Sequence, residues 1–165
     1  MPITRRAARA ILVDEQGRLV LIRRTKPGQL PYWTAPGGGV EQYDPSLEAA
    51  MHRELAEELG AKAAIVYQAF MYSVQESTGV SVQHFFLARL VELDEAARTG
   101  AEYTDAGRGG YILDRVEVGV LGELDLKPAA LKEFVLANHE ALAVDAAAYL
   151  DEKASWDHIG SCDSE

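Results

Sequence analysis

The stretch from Gly37 to Ala61, GGGVEQYDPSLEAAMHRELAEELGA, constrains the chain more than any other. Pro45-Ser46 opens a helix and Gly60 closes it. Leu47, Met51, Leu55 and Leu59 recur every four residues, so one stripe of that helix must be buried. Glu54, Glu57 and Glu58 stand at i, i+3 and i+4, within an arc of about 100° on the helix surface. The arc borders the apolar stripe and puts Glu58 near the core edge. Like charges repel at this spacing, by about 0.2–0.5 kcal/mol for an exposed i,i+4 pair. A hard divalent cation among them reverses the sign. Oxygen-only ligands suit Mg²⁺, with Mn²⁺ also fitting, rather than zinc.

A bare ExxEE also decorates many solvated helices, so the flanking residues matter. Arg53 precedes Glu54 and can hold a carboxylate through two parallel hydrogen bonds. Gly37, Gly38 and Gly39 lie just before the helix, where bare backbone can approach a phosphate or a metal. Trp33 and Pro36 position the approach to that loop, and Gly60 ends the helix at a fixed distance from the glutamates.

Around this segment the chain alternates strands and turns. Residues 7–13 read as a buried strand, 14–17 as a turn and 18–24 as a second strand, together a hairpin. Residues 25–31 are a loop. Residues 32–35 form a short strand stopped by Pro36 and the glycine run. Strands are expected at 63–74, 80–90 and 111–118, with a turn at 75–79 and a long acidic loop at 94–110. Pro128 starts a helix to about residue 137, and 139–150 is a second helix or its continuation. Strands around one early helix, then C-terminal helix, give an α/β fold with a mixed sheet.

Length and charge bound the rest. The 165 residues suit one domain, residues 1–150, with 151–165 as a flexible tail. There are 16 Lys and Arg against 26 Asp and Glu, net −10, which opposes broad binding to nucleic acid or an anionic membrane. A small phosphorylated ligand is still compatible, because a local site can oppose the global field. No apolar run approaches the ~20 residues of a membrane helix. The N-terminus lacks the long apolar run and cleavage site of a secretory signal, so the expected compartment is the cytoplasm. Cys162 is the one cysteine, which excludes an internal disulfide. His52 and His84 have no partner at metal spacing and read as structural. Phe70, Tyr72, Phe85 and Phe86 read as core, and Trp33 as packing beneath the loop.

The segment resembles a Nudix box, G-x5-E-x7-R-E-U-x-E-E-x-G-U with U aliphatic. Arg53-Glu54-Leu55-Ala56-Glu57-Glu58-Leu59-Gly60 matches its second half at every defined position. Trp33, Pro36, Gly37, Gly38, Val40 and Glu41 also fall as in many members. The first half departs. Counted from Gly38, the acidic position is Asp44 and eight residues rather than seven precede Arg53; counted from Gly39, it is Pro45. The loop thus carries one extra residue, and Asp44, Glu41 or Glu48 could take the bracing role of the missing glutamate.

The resemblance implies a Nudix-like α/β/α sandwich and hydrolysis of a nucleoside diphosphate linked to another moiety. It implies Glu54, Glu57, Glu58 and a backbone carbonyl at Gly37 or Gly38 as Mg²⁺ ligands, with Arg53 orienting a glutamate. Arg53, Glu57 and Glu58 are the expected catalytic residues. The general base is Glu57, Glu58 or, on the 94–110 loop, Glu102. Arg23, Arg24, Gly38 and Gly39 are the expected phosphate contacts. The partner is a nucleotide-type small molecule, and family analogy allows a homodimer. The alternative is a Nudix-fold module that binds a nucleotide as a sensor without turnover.

Overall fold

A computed structural model describes residues 1–98 and 109–159. The apolar stripe of the Gly37–Ala61 segment folds as its spacing requires, into α1 (Leu47–Leu59). Ser46 caps it by accepting the Ala49 N–H. Gly60 ends it in the left-handed conformation, φ 63°. A Cβ at Gly60 would lie 1.8 Å from the Asp94 carbonyl oxygen, so the stop is set by tertiary packing as well as by φ.

Among the described residues eight strands accompany α1: β1 (Ile3–Val13), β2 (Leu19–Thr25), β3 (Tyr32–Thr34), β4 (Gly37–Gly39), β5 (Ala61–Glu76), β6 (Gly79–Leu93), β7 (Gly110–Val116) and β8 (Leu126–Lys127). A short helix, α2 (Val118–Leu121), and a long one, α3 (Ala129–Ile159), complete the described chain. From Ala7 to Val13, apart from Arg9, β1 is apolar on both faces, the mark of a strand covered on both sides. Ala8, Ala10 and Leu12 join Met51, Leu55 and Leu59 of α1 in one core. Ile11 and Val13 join Leu131, Val135 and Leu142 of α3 in the other. The result is a mixed sheet between helices, an α/β/α sandwich.

Two expectations change. The predicted hairpin of residues 7–13 and 18–24 is paired only at Val13↔Leu19. β1 instead runs parallel to β6 along its length, while β2 pairs with β7 and β3. The strands splay because each has a better partner along its length. Secondly, the glycine run that was expected to stop a strand is itself one: β4 pairs antiparallel to β1, Ala8 opposite Gly38. Glycine is a weak strand former, but here the ladder to β1 fixes it. Residues 129–159 make one helix, the continuation that was one of the two expectations, with no proline or glycine to break it. It runs past residue 150, where the tail was expected to begin; residues 160–165 lie outside the described residues. Among the described residues no helix is long and apolar enough to cross a membrane.

Candidate active site

The splay between β1 and β2 leaves β4 on an open flank, with α1 packed against it. Gly38 turns its α-carbon toward α1. A Cβ there would lie 2.5 Å from the Glu54 Cδ and within 2.7 Å of both carboxylate oxygens, so only glycine lets that carboxylate meet the backbone.

Arg53 ties the segment together. Its Nε and Nη2 donate to the two oxygens of Asp44, both at 2.9 Å. Nη2 also donates to the Gly39 carbonyl at 3.0 Å, and Nη1 donates to Glu54 at 3.0 Å and Glu57 at 3.3 Å. The guanidinium lies 5.4 Å from the Tyr43 ring centre. Asp44 therefore occupies the bracing position that the lengthened loop left open, while Glu41 and Glu48 are exposed. Its carboxyl is held below the usual carboxylate range, first by the Arg53 hydrogen bonds and then by the Glu41 N–H. Those same bonds push the Arg53 pKa up against the effect of burial, with Glu54 adding to the rise.

Glu58 was expected near the core edge, yet it is only 2% exposed. The burial is possible because both oxygens are satisfied. One accepts the Gly37 N–H at 2.8 Å and the other the Tyr111 hydroxyl at 2.9 Å. Tyr111 comes from β7, and no sequence signal marked it. Glu57 keeps 42% of its side chain exposed. Glu102 lies outside the described residues.

Arg23 and Arg24 alternate across β2. Arg23 lies on the α3 face over Trp33, at 5.8 Å, and Arg24 on the α1 face over Tyr111, at 4.2 Å. Arg24 is thus one aromatic ring away from Glu58, and Arg23 is not. Trp33 does not pack beneath the glycine loop: it packs on the α3-side core and donates its indole N–H to Asp114 at 2.9 Å. Phe85 and Phe86 are core, with Phe70 and Tyr72 half-buried. His52 is exposed. His84 is buried with Nε2 2.9 Å from the Arg6 guanidinium, and burial, then the Arg6 charge, holds its pKa down.

A cavity of about 520 Å³ opens on the α3 face, lined by Arg9, Thr34, Tyr72, Gln83, Asp125 and Lys127 among others. Arg9 donates to the Ala35 and Gly37 carbonyls at 3.0 and 3.3 Å, joining this cavity to the glycine strand. The sequence carried one overlooked hint: Arg9 interrupts the apolar run AARAILV of a strand buried on both faces.

A hard divalent cation needs converging oxygen donors. Among the described residues no three acidic, histidine or cysteine side chains already converge on one point. Arg53 supplies the compensating charge between Glu54 and Glu57 instead. The donors on offer are all carboxylate and carbonyl oxygens, and Gly38 leaves bare backbone against Glu54. That chemistry fits Mg²⁺ or Mn²⁺.

The NUDIX domain family matches residues 3–106. No curated protein sequence matches the chain. Among solved structures, a NUDIX hydrolase from Nitrosomonas europaea is similar at TM-score 0.64 and 14% identity, over 83% of this chain and 89% of that one. A MutT protein from Methanosarcina mazei Go1 is similar at 0.53 and 19%, over 84% and 91%. The NUDIX domain of Shewanella oneidensis NrtR, crystallised with ADP ribose, is similar at 0.55 and 17%, over 91% and 90%. At such identities the likeness is one of fold.

Proposed function

The chain belongs to the Nudix family, a Nudix-type hydrolase of phosphoric anhydride bonds, and from that premise we propose a Mg²⁺-dependent pyrophosphohydrolase. It cleaves a nucleoside diphosphate linked to another moiety, by water attack at phosphorus. One observation carries this reading: a single arginine gathers Asp44, Glu54, Glu57 and the Gly39 carbonyl beside the buried Glu58. The outcome is a rigid, acidic face at the edge of a bare glycine strand. Residues 1–150 form the hydrolase domain in this reading.

Glu54, Glu57, Glu58 and the Gly38 carbonyl would hold the metal. When bound, it neutralises the anhydride oxygens and acidifies a water. Glu58, fixed by Gly37 and Tyr111, is the rigid member of the set. Glu57, the most exposed of the three glutamates, is the base we assign to the water proton. Arg53 keeps Glu54 and Glu57 oriented. Arg24, Gly38 and Gly39 lie where phosphates would pass, and the Arg9 cavity takes the nucleoside end. Arg23, on the α3 face, borders the nucleoside side.

A nucleotide-binding module without turnover is the second reading. It is favoured by the full engagement of Glu58 by protein donors. Phosphate release across nucleoside triphosphates, ADP-ribose, nucleotide sugars and dinucleoside polyphosphates, with Mg²⁺ and with EDTA, separates the two. Metal-dependent turnover of any member is expected. Binding that stabilises the protein with no turnover of any member would overturn the hydrolase.

A further inference from the structure

A second cavity, about 670 Å³, lies between the first residues of β1 (Ile3, Thr4, Arg5, Arg6) and the Gly39–Gln42 segment. Its charge is unusual for a chain of net −10. Among the described residues the Arg5 guanidinium makes no hydrogen bond or ion pair. The partner of Arg6 is His84 Nε2 at 2.9 Å, a buried imidazole held toward its neutral form, so the Arg6 charge is positioned without being cancelled. Among the described residues that line it, Glu41 is the one acid, against the two arginines Arg5 and Arg6.

The cavity adjoins the candidate active site. Successive strand residues face opposite ways, so Gly38 faces Glu54 while Gly39 faces Arg5, whose Nη2 is 3.9 Å from a Cβ placed at Gly39. β4 is three residues long, and among the described residues its one partner strand is β1. A phosphate chain passing its free edge would meet the glutamates on one side and Arg5 on the other. Arg9, four residues along β1 and about 13 Å away, marks the nucleoside cavity at the other end of the same path.

We propose that Arg5 and Arg6, which flank the first residues of β1 from its opposite faces, form an anion subsite for a phosphate beyond the scissile anhydride. The substrate class is then a nucleoside triphosphate or a longer polyphosphate rather than a nucleoside diphosphate bearing a neutral sugar. The proposal rests on the hydrolase reading for its substrate but not for its binding site.

Calorimetry on the full chain in EDTA, with tripolyphosphate and pyrophosphate as probes, tests it. Tripolyphosphate binds more tightly than pyrophosphate. Arg5→Ala and Arg6→Gln each weaken tripolyphosphate about five- to tenfold, the scale of one charge-assisted contact, and Arg5→Lys recovers part of the loss. In turnover, Arg5→Ala raises KM for a nucleoside triphosphate at least fivefold relative to KM for ADP-ribose. Equal binding of the two probes, or tripolyphosphate binding indifferent to both arginines, overturns the subsite. If nothing turns over but tripolyphosphate binding still depends on Arg5, the hydrolase reading falls and the subsite stands. Turnover with Arg5-independent binding has the opposite meaning.

Discussion

The two faces of the sheet are assembled differently. On the α1 face the site comes from one run of chain, Gly37–Gly60, with Tyr111 reaching in from β7. On the α3 face the cavity takes Arg9 from β1, Thr34 from β3, Tyr72 from β5, Gln83 from β6, and Asp125 and Lys127 from the chain around β8. The first face concentrates charge and is braced by short hydrogen bonds. The second mixes charge, hydroxyl, amide and ring on five pieces of backbone. In the proposed function a compact local motif would fix the reaction geometry, and a dispersed cavity would leave the choice of substrate free to vary without disturbing it.

The most severe test of this division is Glu58→Gln. If the α1 face carries the chemistry, Mg²⁺-dependent kcat falls by on the order of 10²–10³, as when a preorganised electrostatic group is removed. Retained turnover in steady-state kinetics would collapse the distinction. Arg53→Lys comes next. Lysine cannot reproduce the two-pronged bond to Asp44 while reaching Glu54, Glu57 and Gly39. A loss of about 10–100-fold in activity or metal affinity is expected, the usual cost of a lost supporting contact. Mn²⁺ titration of the variant checks it.

Asp14 sharpens the comparison from outside both faces. It is fully buried at the β1–β2 turn, accepting bonds from Arg18, Gln16 and Arg115. Burial alone would raise its pKa, but the Arg18 N–H, then Arg115, outweigh it and hold the carboxyl below its ordinary value. A carboxyl lowered in the folded state contributes stability above its unfolded pKa, near 3.9. That contribution is lost as pH falls through the folded value. Asp14→Asn therefore costs about 1–3 kcal/mol at neutral pH, with a flatter acid limb in urea titrations between pH 5 and 2 and little change in kcat. A kcat loss matching that of Arg53→Lys would mean the active site is not mechanically separate.

The smallest effect belongs to the α3 face. Asp125 is exposed at the cavity rim. Asp125→Ala should re-rank nucleotide substrates by kcat/KM about three- to tenfold, below the 10–200-fold that a contact in a closed pocket can give. A uniform loss across all substrates would instead tie Asp125 to the chemistry.

The helix, its caps and the shared face of Glu54, Glu57 and Glu58 were legible because each depends on residues three or four positions apart. So was the Arg53 pairing in outline. The sequence left three acids competing to brace the loop, because their order along a chain does not reveal which carboxylate folds back; the structure selects Asp44. It also hid the β4 strand, since a glycine run carries no strand propensity of its own and takes its form from β1. Tyr111 was silent for a related reason: it lies fifty-three residues from Glu58 and meets it only through the ladder of β7 on β2.

By itself, then, the sequence determined a capped amphipathic helix, a carboxylate face beside bare glycine backbone, and the family that this spacing resembles. These follow from the period of the helix and the conformational freedom of glycine, both local properties. Tertiary structure alone decided that Glu58 is buried and doubly bonded, that Arg24 but not Arg23 lies on the glutamate side of the sheet, and that residues from five separate segments line one cavity. Those outcomes depend on strand register and on which face each side chain takes, and register is settled only when the whole sheet closes around its two cores.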